Sequence, residues 1–535
     1  MFYIWSFVYP QECTFRRVKF SCGRQDGSDD VTVGFSVNDS MILCFNELGC
    51  RQAAMNNISA IMNISGMANR TYSRLSRKVG EAHQMVTANV LSAAVTSVRG
   101  ANLVNAEEAD RDDDNDHAAN EPQGAHGDNS DGDNGGAAAD SGDGDSDNDD
   151  GDAPVVDVIV SFDGTWHKRG FTSNYGVGIV TDVMTGLVLD YEVLSKYCHA
   201  CSLAEKKDMT QVERDEWKID QRPQCQKNYE GSSKSMEKEA ALRIWGRSVE
   251  KNNMHYTGML SDGDSVAYKA VCDVSFYPVR KLECVNHCDK RMGTALRKKA
   301  KEERLGGRRY GALTANSCNV LQSYYRNAIM KNLRNSDSMR EAIMASLFHC
   351  MSTDESPEHQ KCPQGPDSWC FYNKAVANGR DPPKHKDHIG TPLPQDVARA
   401  VRPIYERMSD PSLLERIQHG RTQNANECLN GQIWARCPKT VHVGADRVNA
   451  AVASAVSNFN HGCSHLSQVV KHLGVIPTAQ LHEYQKSQDR KRCKQADLES
   501  ELVTKHSRKD KSRSKKTKIV CQERGEGQTY GAGML

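Results

Sequence analysis

The chain has 535 residues, room for two or three domains, and equal numbers of basic and acidic side chains, 69 of each. That neutrality hides an asymmetry. Residues 105–152 hold eighteen Asp or Glu against one basic residue, which leaves 68 basic against 51 acidic residues elsewhere, a net +17. A basic body with an acidic linker points to a polyanionic partner, and the absence of any long apolar run argues against a membrane span.

The first residues, M-F-Y-I-W-S-F-V-Y-P, lack the basic flank and the cleavage site of a signal peptide. Their abrupt apolar start leaves open whether the N-terminus is complete. Without secretion, the sequons at Asn57, Asn63 and Asn69 read as chance, and the nineteen Cys read as free thiols, core residues or zinc ligands in a reducing compartment.

Residues 1–45 read as a short β-rich segment, with strands at Thr14–Ser21 and Val31–Ser36. From 46 to 104 the period is helical. A first helix carries Ala54, Ile58, Ile61 and Met62; I-S-G-M breaks it; a longer helix carries Tyr72, Leu75, Val79, Ala82, Val86, Val90 and Val98. With Arg70, Arg74, Arg77 and Lys78 the layout is either a helix-turn-helix or a helical hairpin. Residues 105–154 offer almost nothing to bury and read as a disordered linker. A calcium loop starting at Asp143 fails, because Asn148 takes the glycine position and Pro154 the bidentate position.

Three strands follow: a nearly continuous apolar run from Val155 to Phe162, then Tyr175–Thr181 and Leu187–Leu194, joined by D-V-M-T-G. Asp163 stands at the end of the first. After a Cys-bearing loop, Ser232 or Ser233 caps a helix to about Glu250. A strand at His255–Leu260 ends in Ser261-Asp262-Gly263-Asp264, a helix covers Val266–Val271, and a strand covers Tyr277–Leu282. The order β-β-β-α-β-α-β is that of an α/β, ribonuclease-H-like mixed sheet. Residues 155–289 and 396–465 would form its core, interrupted by a helical, Cys/His-containing insertion at 290–395.

Within the core, T-Q-N-A-N-E-C-L-N-G-Q-I-W (422–434) reads as a helix. Gln423, Glu427 and Asn430 share its polar face, and Leu429 and Ile433 make a separate apolar stripe. Gly431 leaves room beside Glu427. Helix continues through Arg447–Asn458. The tail, 466–535, reads as basic and largely disordered, with R-K-R at 490–492 and a Lys/Arg run at 505–518 suited to nuclear import or to a nucleic-acid arm.

Asp163, Asp262 and Glu427 are the candidate catalytic set. Phosphodiester chemistry needs an activated nucleophile and a stabilised leaving oxygen, and two divalent ions held by hard carboxylate oxygens supply both. F-D-G-T-W, S-D-G-D-S-V-A-Y, and T-Q-N-A-N-E-C-L-N with I-W-A-R-C-P-K resemble the DDE motifs of Mutator-like transposases. Cys284-Val285-Asn286-His287 is similar to the C-x-x-H signature that those enzymes carry after the second acid. The resemblance covers about residues 36–465. It implies a nuclear, multimeric cut-and-paste transposase that uses Mg2+ or Mn2+ at the three acids, with terminal inverted repeats and target DNA as partners and no membrane. Asp264 is the alternative second acid, and Cys284, His287 and Asn430 would support the site. A transposon-derived DNA-binding protein without catalysis is the rival reading.

Cys198, Cys201 and Cys225 form a candidate zinc site, although Gln221 stands where related sequences place a His; the alternative is a free-thiol loop. His359, Cys362 and Cys370, with His349 and Cys350 nearby, form a second, in a Pro- and Gly-broken loop that a metal would hold in shape. His167 reads as either a DNA contact or an exposed loop residue. Lys298, Lys299, Lys301, Arg304, Arg308 and Arg309 read as either a phosphate-binding patch or a solvated helix face.

Overall fold

The computed structural model describes residues 36–63, 65–118, 154–168, 172–263 and 265–500. The chain divides into two compact units, one of residues 88–452 and one of residues 1–87 with 453–535.

The larger unit is built on five strands: β1 (Val156–Trp166), β2 (Tyr175–Asp182), β3 (Val188–Ser195), β4 (Met254–Ser261) and β5 (Arg280–Glu283). Their order across the sheet is β3-β2-β1-β4-β5. The first three form an antiparallel meander, whereas β4 lies parallel to β1 and β5 parallel to β4. The turn from β2 to β3 is set by Asp182, whose carboxylate accepts from the backbone N–H of Thr185 at 2.6 Å and from its hydroxyl at 2.8 Å.

Every residue of β2 is buried, because helix covers the sheet there. The covering helix, Met236–Gly246, starts from a turn capped by the Ser232 side chain and buries Met236, Ala240, Ala241, Ile244 and Trp245 against the strands. Gly178 permits the approach, since a Cβ there would lie 2.5 Å from that of Ala240. The helix is also tied to β3. Buried Asp190 pairs with Arg247 and Lys251, and Glu192 pairs with Arg243 and Arg247.

A second core lies among helices. Val285–Glu302, Ala315–Lys331, Ser336–Met351, Gln395–Met408 and Pro411–Ile417 bury a common set that includes Met292, Leu321, Tyr325, Ile343, Val401 and Leu414. The packing therefore runs on to Ile417, past the boundary at 395 that composition suggested for the insertion. The reason lies in the 395–408 helix, whose Val397, Val401, Ile404 and Met408 recur at steps of three and four toward the same core.

The smaller unit is helical. Ser36–Glu47 buries Asp39, Ile42, Leu43 and Asn46, a helical period, which corrects the expectation of β structure up to residue 45. The expected strand at 14–21 lies outside the described residues, as does 31–35. Gln52–Ile61 follows, and then the long Asn69–Ala118, of which the part up to Thr87 belongs to this unit. The latter runs into the acidic stretch expected to be disordered, and residues 119–153 lie outside the described residues. At 50 residues it is far longer than a recognition helix, and Lys78 on it pairs with buried Asp39. The tail expectation also changes: His465–His472 and Ala479–Ser500 are helices. The first buries His465, Ser467, Val469 and Val470, and Asp489 of the second accepts from the backbone N–H of Cys463 at 2.9 Å. The basic run at 505–518 lies outside the described residues. No helix among the described residues is long and apolar enough to cross a membrane.

Candidate active site

Asp163 and Asp262 come together through strand register. β1 and β4 run parallel with Ser161 opposite Leu260, and each acid lies two residues further on. Side chains on a strand repeat every two residues, so extending that register brings Asp262, the first residue after β4, level with Asp163 on β1, across strands spaced by roughly 4.8 Å. Gly263, at φ +101°, turns the chain directly after Asp262. Asp264 lies outside the described residues.

The third acid arrives on the helix Asn424–Arg436, which is fastened to β1 one side chain per turn. Gln423 Nε2 donates to the carbonyl of Phe162 at 2.8 Å, and Asn430 Nδ2 donates to Asp163 Oδ2 at 2.6 Å. Trp434 Nε1 donates to the Thr165 hydroxyl at 2.8 Å. Asn426, fully buried, donates to the carbonyls of Ser161 and Ile179 and accepts from the Thr181 hydroxyl at 2.9 Å. Leu429 and Ile433 are fully buried beside this seam. A Cβ at Gly431 would meet nothing within 4 Å, so the helix surface beside Glu427 is open.

Electrostatics reports the same convergence. Burial and then the charge of Asp262 push the Asp163 carboxyl up; the Asn430 hydrogen bond opposes this, and Glu427 adds to the rise, leaving it at about 7. Asp262 is exposed, and the Glu427 side chain is half exposed. Among the described residues the three carboxylates do not bring even one oxygen each within 4.8 Å of one another. They sit close enough to repel but are not packed around a single point.

The C-x-x-H segment lies beneath Glu427. Buried Cys284 follows β5, where its N–H continues the sheet by donating to the Ser261 carbonyl at 3.1 Å. Its sulfur accepts from the backbone N–H of Gln423 at 3.4 Å, at the start of the Glu427 helix. His287 Nε2 lies 3.7 Å and Lys290 Nζ 3.6 Å from Glu427 Oε1. Asn286 Nδ2 donates to Asn424 Oδ1 at 2.9 Å. Cys284 and His287 thus position the helix and its acid, and they are not part of a metal-ligand cluster among the described residues.

His167 is a correction. It is buried, packs edge-on to Tyr175 and tilted against Trp434, and its Nε2 lies 3.2 Å from the Pro438 carbonyl, so it is not offered to a phosphate. Burial also lowers its pKa. In the basic patch, Lys298 pairs with Glu302, Lys299 with Glu303 and Arg309 with Asp396, while Arg308 is exposed. Such exposed pairs are weak, and a polyanion competes with them readily.

Two Cys-bearing clusters have the composition of metal sites. His349, His359, Cys362 and Cys370 bring four ligand atoms within 4.8 Å of one another. The sulfur–nitrogen separations are 3.4, 3.7 and 3.8 Å, against roughly 3.6 Å for the edge of a tetrahedron with zinc-like bond lengths. Hydrogen bonding from Cys362 lowers the pKa of Cys370, which favours the thiolate that binds metals. The loop is locked by buried Asn373, which donates to the carbonyls of His359 and Cys362. His359 turns Nδ1 toward the sulfurs, and its Nε2 faces the Ser352 hydroxyl and His385, whose Nδ1 meets Asp354 at 2.6 Å. His349, from the Ser336–Met351 helix, completes the set, and Cys350 belongs to the helical core instead.

Cys198, Cys201 and Cys225 likewise lie within 4.8 Å of one another, with 3.5 Å between the sulfurs of Cys201 and Cys225. His199 turns away to the Tyr197 hydroxyl at 3.0 Å. Either group could hold a metal ion.

Comparison with known proteins agrees with the motifs. Residues 142–370 match the family model of the Mutator-like transposase, a segment that takes in Asp163, Asp262 and both Cys-bearing clusters and ends before Glu427. No curated protein and no solved structure matches the chain. Over this segment the chain is similar to the Mutator-like transposases, a family of DNA-processing enzymes.

Proposed function

We propose that the chain is a DDE transposase that cuts and joins DNA by metal-dependent phosphoryl transfer, with Asp163, Asp262 and Glu427 as its acids. The observation that carries this reading is that β1 and β4 are parallel neighbours with Asp163 on β1 and Asp262 directly after β4, each two residues past the paired Ser161 and Leu260, and that the Glu427 helix is fastened to β1. The sheet order β3-β2-β1-β4-β5 supports a ribonuclease-H-like core, with the helical core as its insertion.

The donor set fits Mg2+ or Mn2+. All three ligands are hard carboxylates, and the burial and the charges of Asp262 and Glu427 that together raise Asp163 to about 7 are what a bound cation would offset. Two such ions would activate the attacking hydroxyl and stabilise the leaving oxygen. The protein contributes orientation: Asn430 holds one oxygen of Asp163, and Cys284 fixes the start of the Glu427 helix. Zinc would close the His349–His359–Cys362–Cys370 loop, and Cys198, Cys201 and Cys225 would hold a second ion with one position open. Transposon ends and target DNA are the partners. The protein would act as a homo-oligomer that cuts two ends together, and in the nucleus.

Strand cleavage of DNA carrying the element's terminal inverted repeats, in Mg2+, tests the reading. Wild type should cleave, and Asp163→Asn, Asp262→Asn and Glu427→Gln should each lose activity by orders of magnitude while still binding the DNA. Equal cleavage by wild type and Asp163→Asn would overturn the assignment. DNA binding without cleavage by wild type would favour the non-catalytic reading.

A further inference from the structure

The smaller unit holds a third cluster with metal-site chemistry, made of residues that no sequence motif singles out. Glu47 ends the helix Ser36–Glu47, His83 lies within Asn69–Ala118, and His465 opens His465–His472. One ligand atom from each lies within 4.8 Å of the other two. Both imidazoles are 1% exposed.

Three observations point to an ion between them. His83 Nε2 lies 3.5 Å from Glu47 Oε1, longer than a good hydrogen bond and close to the roughly 3.4 Å expected between two ligands of one tetrahedral ion. His465 Nδ1 lies 2.8 Å from the Gly462 carbonyl, which only accepts; Nδ1 therefore carries the proton, and Nε2 keeps its lone pair for a ligand. A second nitrogen donating to a backbone carbonyl is the usual support for a ligating histidine. The Ser454 hydroxyl donates to Glu47 Oε1 at 2.5 Å and holds the carboxylate in place. The turn that carries His465 is itself fixed, because the Cys463 N–H donates to both oxygens of Asp489.

We propose that Glu47, His83 and His465 bind a divalent transition-metal ion of the zinc class, two imidazoles and one carboxylate with a fourth position for water. The site is structural. Its ligands come from both chain segments that make up the smaller unit, so the ion closes a loop of several hundred residues.

Zinc content of the full chain, reconstituted with Zn2+ after chelation and measured by mass spectrometry against a competing chelator, tests this. His83→Gln and Glu47→Gln should each retain one zinc fewer than wild type. Cys370→Ser should lose a different one, so that His83→Gln/Cys370→Ser loses two. Unchanged zinc content in both His83→Gln and Glu47→Gln would overturn the proposal. Hydrogen exchange on the wild-type protein guards against a misfolded variant. Zinc removal should speed exchange in the 465–472 helix at least tenfold, and protection unaffected by zinc would equally overturn it.

Discussion

Replacing Asp163 with Asn removes a charge from a place that resists one. In the folded protein the Asp163 carboxyl titrates at about 7, against an ordinary value of 3.8. Below pH about 4 the group is protonated in the folded and unfolded states alike and contributes no difference. Between about 4 and 7 the folded protein holds a proton that the unfolded chain has released, so stability falls as pH rises. Above about 7 the full penalty is present; at about 1.4 kcal/mol per pH unit its ceiling is about 4 kcal/mol. The amide oxygen of the introduced Asn can still accept from Asn430, so little else is lost. In chelator at pH 8, Asp163→Asn should therefore melt a few degrees higher than wild type, and the difference should vanish near pH 4. Adding Mg2+ should stabilise wild type and leave the variant unmoved, which closes or reverses the gap. Thermal melts at three pH values, with and without Mg2+, measure this. A variant that melts at or below wild type in chelator at pH 8, with the same Mg2+ response, would refute the reasoning.

Asn426→Ala should lower stability by about 1–3 kcal/mol in denaturant titration, because two strand carbonyls and the Thr181 hydroxyl lose a buried partner; it should also abolish cleavage by freeing the Glu427 helix. Cys370→Ser should cost one bound zinc, read by metal analysis, and loosen the loop at 352–370 to proteolysis. Burial tends to raise the Glu283 carboxyl, but Arg291 and Arg416 more than offset it and hold it below the usual range. Its contribution is therefore present above pH about 4.5 and lost as the solution is acidified. Glu283→Gln should flatten that acid limb of a stability profile and cost about 2 kcal/mol at pH 7, discounted for the partly exposed guanidiniums.

The sheet was readable because its signals are local. β1 opens on a nearly continuous apolar run to Phe162, β2 and β3 meet at a turn with Asp182 and Thr185, and β4 ends at a glycine turn beside Asp262. The face of the Glu427 helix was readable from its period, down to Asn430 and the Leu429–Ile433 stripe. Asn426 was not, because an Asn beside an acid in a polar helix start looks solvent-exposed until the strand carbonyls it satisfies are known; its signal was the i+3 step from Gln423. His167 misled for the opposite reason, since a His after a strand-end acid looks exposed and only the packing of Trp434 covers it. The candidate metal sites divide along the same line. His359, Cys362 and Cys370 are neighbours in sequence, whereas Glu47, His83 and His465 meet only through tertiary packing.

Anomalous diffraction from crystals of the full chain grown with Mn2+ tests the central claim most directly. Manganese peaks bounded by the carboxylates of Asp163, Asp262 and Glu427, and lost in Asp163→Asn crystals, are predicted. A map with no manganese at these three side chains, or with peaks unchanged by Asp163→Asn, would contradict the account.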